Sequence, residues 1–175
     1  MRRVRWLFAL VLVAGLGAVA EAQDVKVDWD HGASFTGLKT YAWQPGTPAQ
    51  NPLWDQRITQ NIDEQLQAKG LQKVSPNENP DLIVMYHAAV GHQTQFNTTN
   101  MGGWGWWGNG MSTTTEQKIP VGQLIVDIGD AKSKKMIWVG TAKDTLSDNP
   151  DKNRKKVEKA VDKMFKKFPP ASEEK

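Results

Sequence analysis

The sequence predicts an α+β fold: a mainly antiparallel sheet of four to six strands, with two helices packed on one face. Three observations carry this expectation. Short segments with period-two alternation of apolar residues recur along the chain. Two longer segments, opening at Asn51-Pro52 and Asn149-Pro150, carry apolar residues at helical spacing. The resulting order, strand-strand-helix-strand and then strand-strand-helix, packs most simply as helices against one face of a sheet.

The elements follow in chain order. Val25, Val27 and Trp29 alternate with Lys26, Asp28 and Asp30, the pattern of a half-buried strand, and His31-Gly32 breaks it. Leu38 to Trp43 reads as a second strand with Tyr41 and Trp43 on one face. Pro45, Gly46 and Pro48 mark a loop. Asn51 can cap the free amides of a helix, and Pro52 lacks the donor that would be orphaned there. Trp54, Ile58, Ile62 and Leu66 form its stripe over Pro52 to Lys69, with Gly70 in the left-handed position and Leu71 folding back on Leu66.

Leu71 to Val74 is short and extended, and Ser75 to Pro80 is a polar turn. Asp81 to Val90 is a strand, with Leu82, Val84 and Tyr86 on one face and Ile83, Met85 and His87 on the other. Apolar residues on both faces predict a central strand covered on both sides. Residues 93–115 are rich in Gly, Trp and Thr and read as a long loop. Val121 to Ile128 is a strand, Asp130 to Lys134 a hairpin turn, and Met136 to Lys143 the returning strand carrying Trp138. Val157, Ala160, Val161, Met164, Phe165 and Phe168 form the stripe of the last helix, which Pro169-Pro170 stops.

The N-terminus addresses the chain. Arg2, Arg3 and Arg5 precede an apolar run from Trp6 to Val19, and Ala20-Glu21-Ala22 has the form accepted by signal peptidase. Residues 1–22 are therefore expected to be a signal peptide and 23–170 a single α+β domain, with 171–175 a disordered tail. The apolar run is short for a span of about 20 residues, and the mature chain offers no transmembrane span. Loss of residues 1–22 lowers the formal charge from +3 to +1, so basicity does not point to nucleic acid. There is no cysteine, hence no disulfide and no lipid attachment at position 23, where Gln stands. The expected location is periplasmic or secreted.

No catalytic signature is present. None of the serines sits in a nucleophile elbow. His87 and His92 fall on opposite faces if their strand continues, and no Cys or compact acidic cluster joins them, so no metal or cofactor is expected. Asp127, Asp130 and Lys132 lie near a strand end, where carboxylates usually shape the turn. The final helix is basic, from Lys152 to Lys167, and its apolar stripe is expected to serve the core. The candidate binding element is the loop bearing Trp104, Trp106 and Trp107: three indoles among glycines suit a protein pocket, a glycan or a membrane surface.

Several residues together resemble a known family. They are Tyr41-Ala42-Trp43, Asn51-Pro52, Lys69-Gly70, Pro80-Asp81-Leu82 with Val84 and Tyr86, Gly122, Leu124 and Asp127, Ile137-Trp138-Val139-Gly140, and Phe168-Pro169. The chain resembles, from about Asp24 to Pro170, the bacterial envelope family known as domain of unknown function 4136. The resemblance implies an exported small α+β domain and brings no activity or catalytic residue. Many members look like lipoproteins, and this chain departs from them at Gln23. The expectation is a non-catalytic envelope protein that binds or scaffolds through its sheet face or Trp loop. The alternatives are a cell-wall hydrolase and a lipid-handling accessory protein. Intact-mass measurement of the exported protein should give a chain that begins at Gln23; retention of residues 1–22 would overturn the signal-peptide reading.

Overall fold

The computed structural model describes residues 23–101 and 111–170. Residues 1–22, expected to be a signal peptide, residues 171–175 and the three loop tryptophans lie outside them. Six strands and two helices follow in the order β1 (Asp24–Trp29), β2 (Thr40–Trp43), α1 (Pro52–Ala68), β3 (Gln72–Lys73), β4 (Leu82–Met101), β5 (Met111–Asp130), β6 (Lys135–Thr145) and α2 (Pro150–Phe165). They form one sheet, ordered β1-β6-β5-β4-β2-β3.

The α+β class and the two helices stand, but the sheet is mixed rather than mainly antiparallel. β1, β6, β5 and β4 pair antiparallel, whereas β2 runs parallel to both β4 and β3. The reason is connectivity. β2 and β3 are joined by α1, and a chain that crosses a sheet face through one helix re-enters the sheet in its original direction. Asp81 fixes the start of the β2–β4 register. Its Oδ2 accepts the backbone N–H groups of Lys39 and Thr40, at 2.9 and 3.1 Å, and the Thr40 hydroxyl. These donors lower the Asp81 carboxyl below its usual value, the Lys39 amide most.

Both helices start as their sequences predict. The Asn51 side chain accepts from Leu53 N, and that of Asn149 from Asp151 N and Lys152 N, each followed by Pro at the first helical position. α1 ends with Leu71 N donating to Leu66 O and Gly70 N to Gln67 O, with Gly70 at φ +83°, which only glycine adopts without strain.

The helices cover one face. Tyr41, Leu82, Val84, Val126, Ile128 and Trp138 of the sheet are buried against Ile62, Leu66, Val161, Met164 and Phe165 of the helices. Trp138 and Phe165 meet Phe168 in an aromatic cluster with ring centroids 5.3 to 5.8 Å apart. The apolar stripe of α2 thus goes to the core. On the opposite face Ile83 and Met85 are only half-buried, so β4 is central but not covered on both sides as its sequence predicts.

The larger correction concerns 93–115. β4 and β5 are each 20 residues long and pair without a break from Leu82↔Asp130 to Met101↔Met111. The stretch read as loop is therefore strand up to Met101 and again from Met111. Its Thr-rich composition favours an extended backbone even with no apolar face to announce it.

One carboxylate ties the crossover together. Asp63 Oδ1 accepts Tyr41 OH at 2.6 Å and Trp43 Nε1 at 2.8 Å, and Oδ2 pairs with Lys73 Nζ at 2.9 Å. Asp63→Ala should cost about 1–3 kcal/mol, the range for a buried donor left unpaired. Urea denaturation checks this; a variant as stable as the parent would show that the network is incidental.

Candidate functional site

The most distinctive element is the outer part of the β4–β5 hairpin. β2 leaves β4 after Val84, apart from a single bridge at Thr47↔His87, and the β6 ladder along β5 ends at Val121↔Thr145. Leu146 N still donates to Pro120 O at 2.8 Å, so among the described residues the nine pairs from Gln93↔Ile119 to Met101↔Met111 are held only by each other. At about 3.4 Å per residue they extend roughly 31 Å beyond the sheet. Thr98 and Thr114 exchange a hydroxyl hydrogen bond at 3.1 Å across this arm. Apart from half-buried Ile119 and Pro120 at its root, the residues whose burial is described are exposed on both faces, and Phe96 is 66% exposed. Pro120, which has no N–H to offer a further strand, stands where the outer edge of β5 becomes free. Trp104, Trp106 and Trp107 belong to the connection between the arm strands, outside the described residues.

At the base of the arm lies a cavity of about 340 Å³ between the N-terminal halves of both helices and the sheet. That volume falls in the range of small-ligand pockets. Trp54 and Ile58 of α1, Val157 of α2, Leu124 of β5 and Leu146 form its apolar walls. The small side chains Ala49, Ala88, Ala142 and Ala160 leave the space open. Leu146 folds over the sheet end at Gly122, where a β-carbon would stand only 2.9 Å from its Cδ2.

Polar groups gather at one side. Lys156 Nζ turns inward and contacts Asp144 Oδ1 at 3.1 Å, Thr145 O at 2.9 Å and Thr145 Oγ1 at 3.2 Å. Gln23 Nε2 donates to Lys156 O at 2.8 Å, while its buried Oε1 has no partner among the described residues. Neither Lys156 nor Gln23 was singled out for this role by the sequence. Inward rotation of one lysine among the α2 cations leaves no mark in the helical pattern.

The open face holds the remaining titratable cluster. β4 continues through both histidines, which places His87 and His92 on opposite faces. His87 Nδ1 lies 3.1 Å from Thr47 N, which donates to it, and 2.8 Å from Thr47 Oγ1. Its Nε2 lies 3.4 Å from Asp127 Oδ2. Thr47, His87 and Asp127 thus line up as a nucleophilic triad would. The Nδ1 lone pair, however, is already turned toward a backbone amide, so it is poorly placed to take the hydroxyl proton. Gly46 lets this segment approach β4, since any β-carbon there would fall on Tyr86 O. Asp130 does not join the cluster. It accepts from Ser133 N at 2.5 Å, and this bond holds its carboxyl below the usual value and closes the β5–β6 turn. Among the described residues no three His, Cys, Asp or Glu side chains converge on a metal position, and no helix is long and apolar enough to cross a membrane.

The family described as Domain of unknown function (DUF4136) matches residues 25–170. No curated protein matches the chain. Among solved structures it is similar to a PDZ domain protein from Parabacteroides distasonis, at 17% identity and a TM-score of 0.56, over 85% of this chain and only 36% of that one. A DUF4136 family protein from Bacteroides thetaiotaomicron aligns at 15% identity and a TM-score of 0.51, over 84% of this chain and 96% of that one. A PelC dodecamer from Paraburkholderia phytofirmans aligns at 13% identity and a TM-score of 0.51, over 82% and 96%. At these identities the likeness is one of fold.

Burial raises the Asp127 carboxyl above its usual value, with His87 pulling the other way. A raised folded-state value means that the protonated acid favours the fold, and this contribution is lost as pH rises through that value. Asp127→Asn should therefore be more stable than the parent at pH 7, with the difference narrowing toward pH 4. Urea midpoints at the two pH values check this; an equal difference at both would contradict it.

Proposed function

The chain belongs to the DUF4136 family, and we propose that it is an exported, non-catalytic envelope protein that binds or scaffolds through its β4–β5 arm. The arm itself carries this reading. An isolated two-stranded ribbon is marginally stable in water, and both edges of this one present unpaired backbone groups. Such an edge accepts an added strand, with main-chain hydrogen bonds supplying affinity. The tryptophans between the arm strands supply anchors of the kind that dominate binding energy.

The partner is an envelope protein, a glycan, a membrane surface or further copies of the same chain. PelC, solved as a dodecamer, supports the last of these as a use of this fold. The export signal at residues 1–22 supports a periplasmic or secreted location. The hydrolase alternative draws no support from the Thr47, His87 and Asp127 alignment, whose imidazole is engaged by a backbone amide.

Replacing residues 94–118 by Asn-Gly would close the hairpin at Gln93 and Ile119, which face each other in the ladder. The shortened protein should keep its thermal midpoint within a few degrees. It should lose the partners that the parent recovers in a native envelope pull-down, or the parent's higher-order mass in light scattering. Unchanged partners and unchanged mass would refute the proposal.

A further inference from the structure

The geometry points to the outer edge of β4, from Val90 to Phe96, as a surface for a second copy of this chain, paired antiparallel about a two-fold axis at Gln93. This pairing rests on the reading of the arm as a binding element and gives it one edge and one partner.

The backbone sets the edge. Tyr86 O accepts from Thr47 N, and Ala88 N donates to Thr47 O, so these residues turn their main-chain groups away from β5. The β4–β5 ladder runs on without a shift, and the direction of these groups alternates along a strand. Val90, His92, Thr94 and Phe96 therefore aim N–H and C=O outward, where the described residues place no further strand. On β5, Pro120 O accepts from Leu146 N, so Lys118 and Glu116 are the outward positions there.

The two edges differ in chemistry. That of β5 carries Glu116, Lys118 and Pro120, charges and a proline of the kind that keep an edge from pairing. That of β4 has no Asp, Glu, Lys, Arg or Pro from residue 89 to 98. It carries Val90 and Phe96 instead, 61% and 66% exposed. Both lie on the sheet face where Leu82, Val84 and Tyr86 are buried, since all share the same parity along β4.

Self-complementarity sets the partner. In a two-fold interface each contact occurs twice, with the roles of the two copies exchanged. An axis at Gln93 sets Val90 opposite the partner's Phe96, and Phe96 opposite the partner's Val90. His92 and Thr94 face each other in the same way. All of these are outward positions, so each pair exchanges two main-chain hydrogen bonds. Each exposed apolar side chain gains an apolar neighbour directly across the ladder. Moving the axis to His92 sets Phe96 opposite Ala88, whose N–H is already taken by Thr47 O. Moving it to Thr94 sets Phe96 opposite His92 and Val90 opposite Thr98.

Light scattering of the purified exported protein should give the mass of two chains or an even multiple of it. Thr94→Pro removes an outward N–H beside the axis and should halve that mass. Lys118→Pro, at the facing position on β5, should leave it unchanged. Phe96→Lys, at an exposed site that the single chain does not need for its core, should weaken the pairing by roughly tenfold or more in sedimentation equilibrium. The chain has no cysteine, so a single introduced thiol reports the register. Gln93→Cys should oxidise to a disulfide-linked dimer, because directly opposed residues of this kind lie about 4.5 Å apart between Cα atoms. Gln95→Cys, opposite the partner's Gly91, should not. Unchanged circular dichroism spectra establish that the variants fold. The pairing is refuted if the parent stays a single chain on concentration, if Thr94→Pro and Phe96→Lys leave the dimer intact, if Lys118→Pro dissolves it instead, or if Gln95→Cys links and Gln93→Cys does not. In each of these cases loss of partners or mass on shortening the arm still supports the wider role of the arm, which fails only when shortening changes neither.

Discussion

The β2–α1–β3 crossover depends on one carboxylate. Asp63 projects from α1 toward the sheet, where Tyr41 and Trp43 of β2 donate to one oxygen and Lys73 of β3 to the other. Hydrogen bonds to a charged group are stronger than neutral ones. Here they join three consecutive elements. Burial first, and then Asp63, hold the Tyr41 hydroxyl well above the usual phenol value, so it remains a donor at every physiological pH. Tyr86 repeats the arrangement from β4, two residues beyond the last β2–β4 pair, donating its hydroxyl to Asp55 at the start of α1. Both tyrosines of the chain thus fasten α1 to the sheet.

A mismatch of lengths then shapes the rest. α1 has 17 residues, about 26 Å at 1.5 Å per residue. β4 and β5 have 20 each, about 68 Å at 3.4 Å per residue. The helix pair can cover only about the first seven residues of β4, as far as Ala88, and Val90 is already 61% exposed. Beyond that point the helices do not follow, the β6 ladder ends at Val121 of β5, and the hairpin continues alone. Burial stops where the helices stop, and so does the apolar alternation of the sequence. The cavity sits at this boundary because the last covered positions on β4 and β6 are alanines, Ala88 and Ala142, too small to close the gap between helices and sheet.

The chemistry therefore concentrates at one end of the molecule. The N-termini of both helices, the Lys156 and Asp144 pair, the orphaned Gln23 oxygen and the root of the arm meet there. The far end is closed by structural devices, the Asp81 clamp and the Asp130 turn. An occupant of the cavity would touch Ala88 to Val90 and Gly122 to Leu124, the segments from which the arm departs.

The sequence by itself determined the elements whose signals are local. Asn-Pro starts, a stripe every four residues and a terminal glycine placed α1 almost to the residue. Alternation placed β1 and the inner parts of β4 and β5, and the apolar stripe of α2 assigned that helix to the core. Strand direction was decided only by tertiary structure. Period-two alternation is the same for parallel and antiparallel neighbours, so the parallel placing of β2 follows from the path of α1 and from the Asp81 clamp 41 residues from Thr40. The arm was illegible for a related reason. A ribbon exposed on both faces buries nothing, so hydrophobic patterning, which records burial, is silent about it. The candidate cavity is likewise a property of packing: Gln23 and Lys156 meet across 133 positions of chain, and no local pattern records a contact made at that separation.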